Sequence, residues 1–242
     1  MKHKEHYDDR YVWELASKLS SVMPSFDSKA FSSNLIGQLD DKELFARFDC
    51  FVDALQTSMS PDYSQNIKAF YGLLGPELPE PEGMFHTGWW LGPISRYVER
   101  NGNEDLQLSL SFLKELTKRF TGEYAIRPLL KEHPKEVMDE LISWTQDDNV
   151  HVRRLASEGI RIRLPWSQKL FVALAESARY TEILSNLKDD PAKFVQKSVG
   201  NNLNDLYKEA PEKAEHIIAL WRKTPATKAR EWIIKHGMRN QS

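Results

Sequence analysis

The chain has 242 residues, of which 40% are apolar, with 33 lysines and arginines against 35 aspartates and glutamates. This length can bury a substantial core, in one large domain or in two small ones. The single cysteine, Cys50, excludes an intramolecular disulfide and a CxxC zinc site. The first residues, MKHKEHYDDR, are charged, and no apolar run approaches the ~18 residues of a transmembrane helix. We therefore expect no signal peptide, no membrane segment and a cytoplasmic location.

Charge is distributed unevenly along the chain. Residues 1–117 carry 11 basic and 18 acidic side chains, whereas residues 193–242 carry 10 basic and 5 acidic ones. A positive C-terminal part and a negative N-terminal part favour a polyanionic partner. Ordinary variation of surface charge is the alternative that these counts leave open.

Helical periodicity dominates the first half. Residues 9–22 place apolar side chains at i, i+3, i+4 and i+7, and residues 41–58 and 63–74 follow with two more amphipathic patterns. The segment GPELPEPEG (75–83) is the longest predicted loop, because proline and glycine interrupt regular structure throughout it.

The second half continues in the same way. Residues 106–120 have a helical pattern, and a helix holding Arg127 is expected to end at His133, where Pro134 begins the next helix. No segment shows the period-2 alternation of a strand bounded by hairpin turns. The sequence therefore predicts an all-α fold.

An internal repeat organises the C-terminal part. Residues 144–161 align with residues 187–204 at an offset of 43, and a looser copy ends in AREWIIKH (229–236) at an offset near 34. A period of roughly 40–47 residues with two helices per unit is typical of HEAT repeats. Stacked units form a solenoid with an extended, concave binding surface.

We predict one domain over residues 1–242. It comprises an N-terminal helical part over 1–105 and a repeat part over 106–242 that carries the functional site.

One face of the predicted helix 150–162 is strongly charged. Rotation by 100° per residue places Arg154, Glu158 and Arg161 opposite the apolar stripe. The corresponding face of the next repeat carries Lys197, Asn201 and Asn204. Cations and amides on adjacent helices suit a phosphodiester backbone. An i, i+4 ion pair on a solvated helix explains the pattern equally well.

Other chemical signatures are sparse. Trp166 follows Pro165 where the helix should have ended, so its ring could stack on a base or sugar or could cover a core. The histidines show no metal-ligand spacing, and no phosphate-binding glycine loop, GxSxG elbow or Cys/His pair is present. We expect no metal and no cofactor.

Four stretches carry a family resemblance. They are LTKRFTGEYAIRPLL (116–130), DDNVHVRRLASEGIRIRLPW (147–166), KSVGNNLNDLYKEAP (197–211) and EWIIKHGMR (231–239). With these stretches the chain resembles the AlkC branch of the AlkC/AlkD DNA alkylation-repair glycosylases. Gly200 stands where the family usually has alanine. We also expect this chain to lack the immunoglobulin-like domain that follows the repeats in some members.

The resemblance implies a function in base-excision repair. A monofunctional DNA glycosylase would hydrolyse the N-glycosidic bond of cationic alkylated purines, chiefly 3-methyladenine, and leave an abasic site. Its partner would be double-stranded DNA containing alkylated bases, bound by a monomer in the nucleoid.

The resemblance also assigns roles to residues at the matching positions. It implies that the carboxylates lining the lesion are Glu123, Glu158 and Asp205. Arg154 would hold a phosphate beside the lesion, and Trp166 would pack against the deoxyribose or the lesion itself. Secondary phosphate contacts would be Arg153, Arg161, Arg163, Lys197 and Asn202.

Two other functions stay open at this point. The same scaffold could bind damaged or branched DNA without cutting it, in which case loss of the acidic trio would be expected. It could also be a protein-binding HEAT scaffold that docks partners on its acidic N-terminal half. Only the two DNA-binding functions predict an affinity that falls steeply with salt.

Overall fold

The computed structural model describes residues 3–81 and 84–241, and every regular element in these ranges is helical. This confirms the predicted all-α class. The chain divides into two compact units, one up to Thr121 and one from Gly122 onward. The division therefore falls later in the chain than the predicted boundary at residue 105. No helix in the described ranges is long and apolar enough to span a bilayer.

Within its described residues, the N-terminal unit contains seven α-helices and three short 3-10 helices. The α-helices are α1 (Asp9–Val22), α2 (Ser28–Leu35), α3 (Leu44–Ser58), α4 (Tyr63–Leu73), α5 (Met84–Thr87), α6 (Gly92–Asn101) and α7 (Leu106–Thr117). The predicted helix at 9–22 is confirmed to the residue, whereas the one predicted at 41–58 begins three residues later. The last two positions of the predicted 75–83 loop lie outside the described residues.

Aspartate caps fix where several of these helices begin. The carboxylate of Asp8 accepts a hydrogen bond from the backbone N–H of Tyr11 at 3.0 Å, which satisfies one of the free donors at the start of α1. Asp27, Asp62 and Asp105 cap α2, α4 and α7 in the same way. The acidic character of the N-terminal half therefore serves helix initiation in part.

The C-terminal unit contains eight α-helices among its described residues. They are α8 (Ile126–Glu132), α9 (Pro134–Trp144), α10 (Val150–Glu158), α11 (Val172–Ala175), α12 (Ser177–Leu187), α13 (Lys193–Glu209), α14 (Pro211–Trp221) and α15 (Lys228–Gly237). The predicted junction between α8 and α9 at His133-Pro134 is confirmed. The helix predicted at 150–162 ends early, at Glu158.

The repeat predicted from sequence is present as three helix pairs, α9/α10, α12/α13 and α14/α15. The first helix of each pair has 11 residues, and these helices begin at Pro134, Ser177 and Pro211, 43 and then 34 positions apart. Their ends bury Trp144, Leu187 and Trp221. The helix pair is thus the unit that supplies apolar surface to its neighbours.

Helices α13 and α15 pack at very short range. A methyl group added at Gly200 would lie 2.8 Å from a ring carbon of His236, and one added at Gly237 would lie 2.6 Å from the Cβ of Leu203. Both distances are too short for carbon atoms in contact. The two glycines therefore let the helices approach, which explains why alanine at position 200 would not fit here.

Candidate functional site: a buried carboxylate–arginine cluster beside an exposed tryptophan

The C-terminal unit brings the three predicted carboxylates into one cluster with two arginines. Its five members come from separate pieces of chain: Glu123 precedes α8, Arg154 and Glu158 lie on α10, Arg161 follows α10, and Asp205 lies on α13. We call these five residues the carboxylate–arginine cluster.

Arg154 joins two of the carboxylates. Its guanidinium lies 2.7 Å from the Oε2 atom of Glu123 and 3.6 Å from the Oε1 atom of Glu158. The same group lies over the ring of Phe194, 4.8 Å from the ring centroid, in a cation–π contact. Only 13% of its side chain is exposed. Arg154 is therefore held in one position by two carboxylates and an aromatic ring.

Arg161 joins the other pair. It donates to the Oε1 atom of Glu158 at 2.9 Å and to the two carboxylate oxygens of Asp205 at 3.1 and 3.3 Å. Asp205 also accepts from the backbone N–H of Arg163 at 3.1 Å. The prediction that Arg161 lies on an outward helical face is wrong, because α10 has ended by then and the side chain is buried between carboxylates.

Electrostatics keep Glu158 ionised. Burial alone would raise the pKa of its carboxyl group, but the positive charges of Arg154 and Arg161 and a hydrogen bond from Ser198 outweigh that effect and lower the pKa. Three carboxylates and two guanidinium groups leave one excess negative charge when all five are ionised. The cluster can thus stabilise a cation brought against it.

Trp166 stands in an unusual backbone conformation at the edge of this unit. Its φ is +60°, in the left-handed region that bulky side chains rarely adopt, and the residue is 82% exposed. The N–H of Ser167 donates to the carbonyl of Leu164, which closes a turn with Pro165 second and Trp166 third, where a type II turn normally has glycine. Strain of this kind marks functional positions, and here it presents an indole ring to solvent.

Sequence reasoning missed the residue that anchors this turn, Arg127. Its buried guanidinium donates to the carbonyls of Gly159, Arg161 and Gln168 at 3.3, 2.8 and 2.6 Å. These carbonyls lie on both sides of Trp166, in the segment 159–171 that we call the Trp166 loop. Contacts to backbone atoms leave no pattern in a sequence, and so only the position of Arg127 in the family-like stretch TGEYAIRP offered a signal.

The Trp166 loop also carries cations. Arg163 and Lys169 both pair with Glu209, Lys169 at 2.7 Å, and each keeps more than two fifths of its side chain exposed. The hydroxyl of Tyr124 donates to the carbonyl of Pro165 at 3.2 Å. The loop is thus fixed in place while its aromatic and positive groups face solvent.

The remaining predicted contacts differ in position. Lys197 is exposed on α13. Arg153 pairs with Asp190 at 2.7 Å and donates to two loop carbonyls, so it holds one repeat to the next. Asn202 is fully buried, donates to the carbonyls of Ser157 and Ser198, and accepts from a tyrosine hydroxyl. We therefore do not retain Asn202 among the proposed DNA contacts.

Metal ligation has no support in the described ranges, where no three histidine, cysteine, aspartate or glutamate side chains are grouped as a metal ion would require. The arrangement offers fixed anions and cations next to an aromatic surface. Such a site can bind and stabilise charge without a cofactor.

The chain is similar to known proteins in sequence and in fold. The DNA alkylation repair enzyme family matches residues 120–239, which include the whole cluster and the Trp166 loop. In solved structures, the alkylpurine DNA glycosylase AlkC of Pseudomonas fluorescens, bound to DNA containing an abasic site analog, is similar with a TM-score of 0.84 and 31% identity over 99% of this chain. The uncharacterized protein YhaZ of Bacillus subtilis (strain 168) is 31% identical over 98% of the chain.

Residues 120–239 match the model of the DNA alkylation repair enzyme family, and the similar solved structure has the HEAT-like helical fold that was predicted from the repeat. Over nearly its whole length the chain is AlkC-like, as the sequence resemblance indicated. It spans 64% of the Pseudomonas chain and 63% of YhaZ.

Proposed function

We propose that this protein is a monofunctional DNA glycosylase that removes cationic alkylated purines, chiefly 3-methyladenine, and leaves an abasic site. The observation that carries the proposal is the convergence of Glu123, Glu158 and Asp205 on two arginines. The exposed Trp166 lies on the loop whose Arg163 N–H donates to Asp205. The similarity to an alkylpurine glycosylase bound to abasic-site DNA supports it. The proposed partner is duplex DNA carrying alkylated bases, bound by a monomer on the chromosome.

The chemistry of the lesion explains why this set of side chains suffices. A base that already carries a positive charge is a good leaving group and needs no general acid to protonate it. As the N-glycosidic bond breaks, its electron pair leaves with the base and the sugar becomes an oxocarbenium cation. Water then adds to the sugar, and its proton must be taken up.

The carboxylates act on that developing cation. One carboxylate about 4 Å from the sugar contributes roughly 4 kcal/mol at an effective dielectric constant near 20, which is on the order of a thousandfold in rate. Glu158 is suited to this role because its lowered pKa keeps it anionic at neutral pH. Glu123 is held by Arg154 within the same cluster and is the second candidate.

The other residues position the DNA. Arg154 keeps a small part of its side chain exposed and is the proposed contact for a phosphate beside the lesion, and the indole of Trp166 can pack against the deoxyribose or the lesion. Arg163 and Lys169 can exchange their pairing with Glu209 for contacts to phosphates. Asp205 and Arg161, whose polar atoms are engaged with one another, position Glu158 rather than contact the sugar.

The test is release of free 3-methyladenine from methylated duplex DNA by wild type, Glu158→Gln and Glu123→Gln at equal folded concentration. We expect release by wild type and a loss of about a hundredfold or more in Glu158→Gln, which removes one charge without changing shape. Lys131→Gln, an exposed neutralisation on α8, is the control and should match wild type.

Other results would correct the proposal in defined ways. An unchanged rate in Glu158→Gln together with a large loss in Glu123→Gln would move the chemistry to Glu123. No release by wild type above the spontaneous rate, with DNA binding intact, would replace the glycosylase by a non-cutting DNA binder. Absence of salt-dependent DNA binding would leave the protein-binding scaffold.

A further inference from the structure

A second group of cations lies on α13 and α15, outside the carboxylate–arginine cluster. Lys193 and Lys197 lie on α13, and Trp232, His236 and Arg239 lie on or just after α15. We call these five residues the C-terminal basic patch. Both lysines and Arg239 are exposed.

Aromatic stacking orders the patch. The ammonium group of Lys193 lies 3.6 Å from the centroid of the Trp232 ring, and that ring stacks on the imidazole of His236 with centroids 4.8 Å apart and planes within 9°. Asn201 joins the two helices, since its Oδ1 atom lies 3.0 Å from the Nε2 atom of His236 and accepts from Arg239 at 3.1 Å. Lys193 and Arg239 are therefore held in place before any ligand binds.

Among the described residues, the cations of the patch lack the carboxylate counter-ions that several arginines of the unit have. Arg153, Arg163 and Arg179 each have a carboxylate partner. In the described part of the chain, Lys193, Lys197 and Arg239 form no such pair. The positive charge of the patch acts on His236. The pKa of this imidazole is lowered by burial and by the positive charges of Arg239, Lys197 and Lys193.

The register of α13 connects the patch to the proposed lesion site. Lys197, Asn201 and Asp205 follow one another at i, i+4 and i+8, and thus lie along one side of the helix. Eight residues of helix span about 12 Å, which equals three to four nucleotides at ~3.4 Å of rise along one strand. A strand whose lesion lies near Asp205 could therefore place a neighbouring phosphate group at Lys197.

We propose that the C-terminal basic patch binds the sugar–phosphate backbone of duplex DNA a few nucleotides from the lesion, and contributes affinity without taking part in bond cleavage. The proposal rests on the proposed function for the position of the lesion. The patch itself is identified by its ordered, uncompensated positive charge, which is what a polyanionic backbone requires. Flat aromatic surface at Trp232 adds contact area for sugars.

The experiment compares two triple variants with the same change in net charge. The patch variant is Lys193→Gln, Lys197→Gln and Arg239→Gln, and the control variant is Lys131→Gln, Lys135→Gln and Lys208→Gln, all exposed in this structure. Affinity for a labelled duplex containing an abasic-site analogue is measured by fluorescence anisotropy between about 50 and 200 mM salt. Single-turnover release of 3-methyladenine at saturating protein is measured in parallel.

We expect the patch variant to bind DNA at least tenfold more weakly, with a plot of log K against log salt that is less steep by about 2 to 3, since each neutralised phosphate contributes about 0.9. The control variant should keep the wild-type slope. The rate at saturation should stay within about twofold of wild type, because the patch is distant from the bond that breaks.

Two results would overturn the inference: a wild-type slope in the patch variant, or an equal loss of slope in both variants. A fall in the saturated single-turnover rate with unchanged affinity would also contradict it. The binding measurement needs no turnover. Failure of the glycosylase proposal, seen as no base release by wild type, is therefore distinguishable from failure of the patch.

Discussion

Two equivalent helices of the repeat, α10 and α13, use the same face differently. At the repeat offset, Arg154 corresponds to Lys197 and Glu158 corresponds to Asn201. On α10 the cation and the carboxylate are drawn into a buried network with Arg161. On α13 the lysine is exposed and forms no ion pair with any residue that the structure describes.

One change of side-chain type accounts for much of this difference. Glutamate at position 158 supplies a counter-charge, so arginines can be buried beside it at a tolerable desolvation cost. Asparagine at position 201 supplies a hydrogen-bond acceptor without a charge. The cations around it therefore have no counter-charge there and stay accessible. We therefore propose different roles for the two equivalent helices: charge stabilisation for α10 and backbone binding for α13.

The largest effect should come from breaking the buried network at Arg161. Arg161→Met would leave Glu158 and Asp205 buried without their shared partner, and we expect a loss of about 3–5 kcal/mol in the free energy of unfolding. Urea denaturation measures it. The matched control is Arg179→Met, which breaks a solvent-exposed pair with Asp139 and should change stability little. Equal losses in the two variants would show that the buried ion pairs of the cluster stabilise the fold no more than an exposed pair does.

Sequence could predict those parts of the architecture that depend on the spacing of apolar residues along the chain. The helix at 9–22 is exact in its bounds because an aspartate cap and apolar periodicity agree there. The repeat was detected because buried side chains recur at a fixed offset. The end of α10 at Glu158 was missed, since nothing before Gly159 in the sequence opposes a longer helix.

The sequence predicted which residues form the site, but it did not predict which other residues they contact. Rotation about a helix axis tells which residues share a face, but not what packs against that face. Arg161 was therefore predicted to lie on the charged face opposite the apolar stripe, although Asp205 from the next repeat covers it. For Asn202 the family resemblance, not the rotation, implied a DNA contact, and its amide donates to carbonyls of Ser157 and Ser198. Tertiary partners some 40 positions away decide both cases.

The next largest effect should come from loosening the Trp166 loop. Arg127→Lys keeps the charge, but a compact ammonium group cannot reach the carbonyls of Gly159, Arg161 and Gln168 together. We expect roughly a hundredfold loss in the single-turnover rate of base release, because a misplacement of about 1 Å costs that much. The rate is measured at saturating protein.

A control separates positioning from direct contact. If Arg127 acts through the loop, Arg127→Lys in a Trp166→Leu background should cost far less than it does in wild type, since the side chain being positioned is already absent. Equal losses in the two backgrounds would show that Arg127 acts by another route.

A smaller effect is the acid sensitivity of the buried network. Because the pKa of Glu158 is lower in the folded state than its ordinary value of 4.5, the folded state binds fewer protons than the unfolded state. Glu158 therefore contributes stability above pH 4.5 that is lost as the pH falls through its folded pKa. Glu158→Gln should show a shallower loss of unfolding free energy in that range, measured by urea denaturation across pH. Parallel curves for both proteins would contradict this assignment.

The smallest effect, and the sharpest test of the comparison between α10 and α13, comes from making α13 resemble α10. Asn201→Asp keeps an acceptor for His236 and Arg239 while adding the negative charge that Glu158 supplies one repeat earlier. The new carboxylate would pair with Arg239 and raise the pKa of His236. We expect several-fold weaker DNA binding with a salt slope less steep by about 1, while the folded protein keeps its stability. Asn201→Ala removes the same hydrogen bonds without adding charge, so it should leave the slope near the wild-type value. If both variants bind DNA alike, charge at position 201 is not what separates the roles of the two helices.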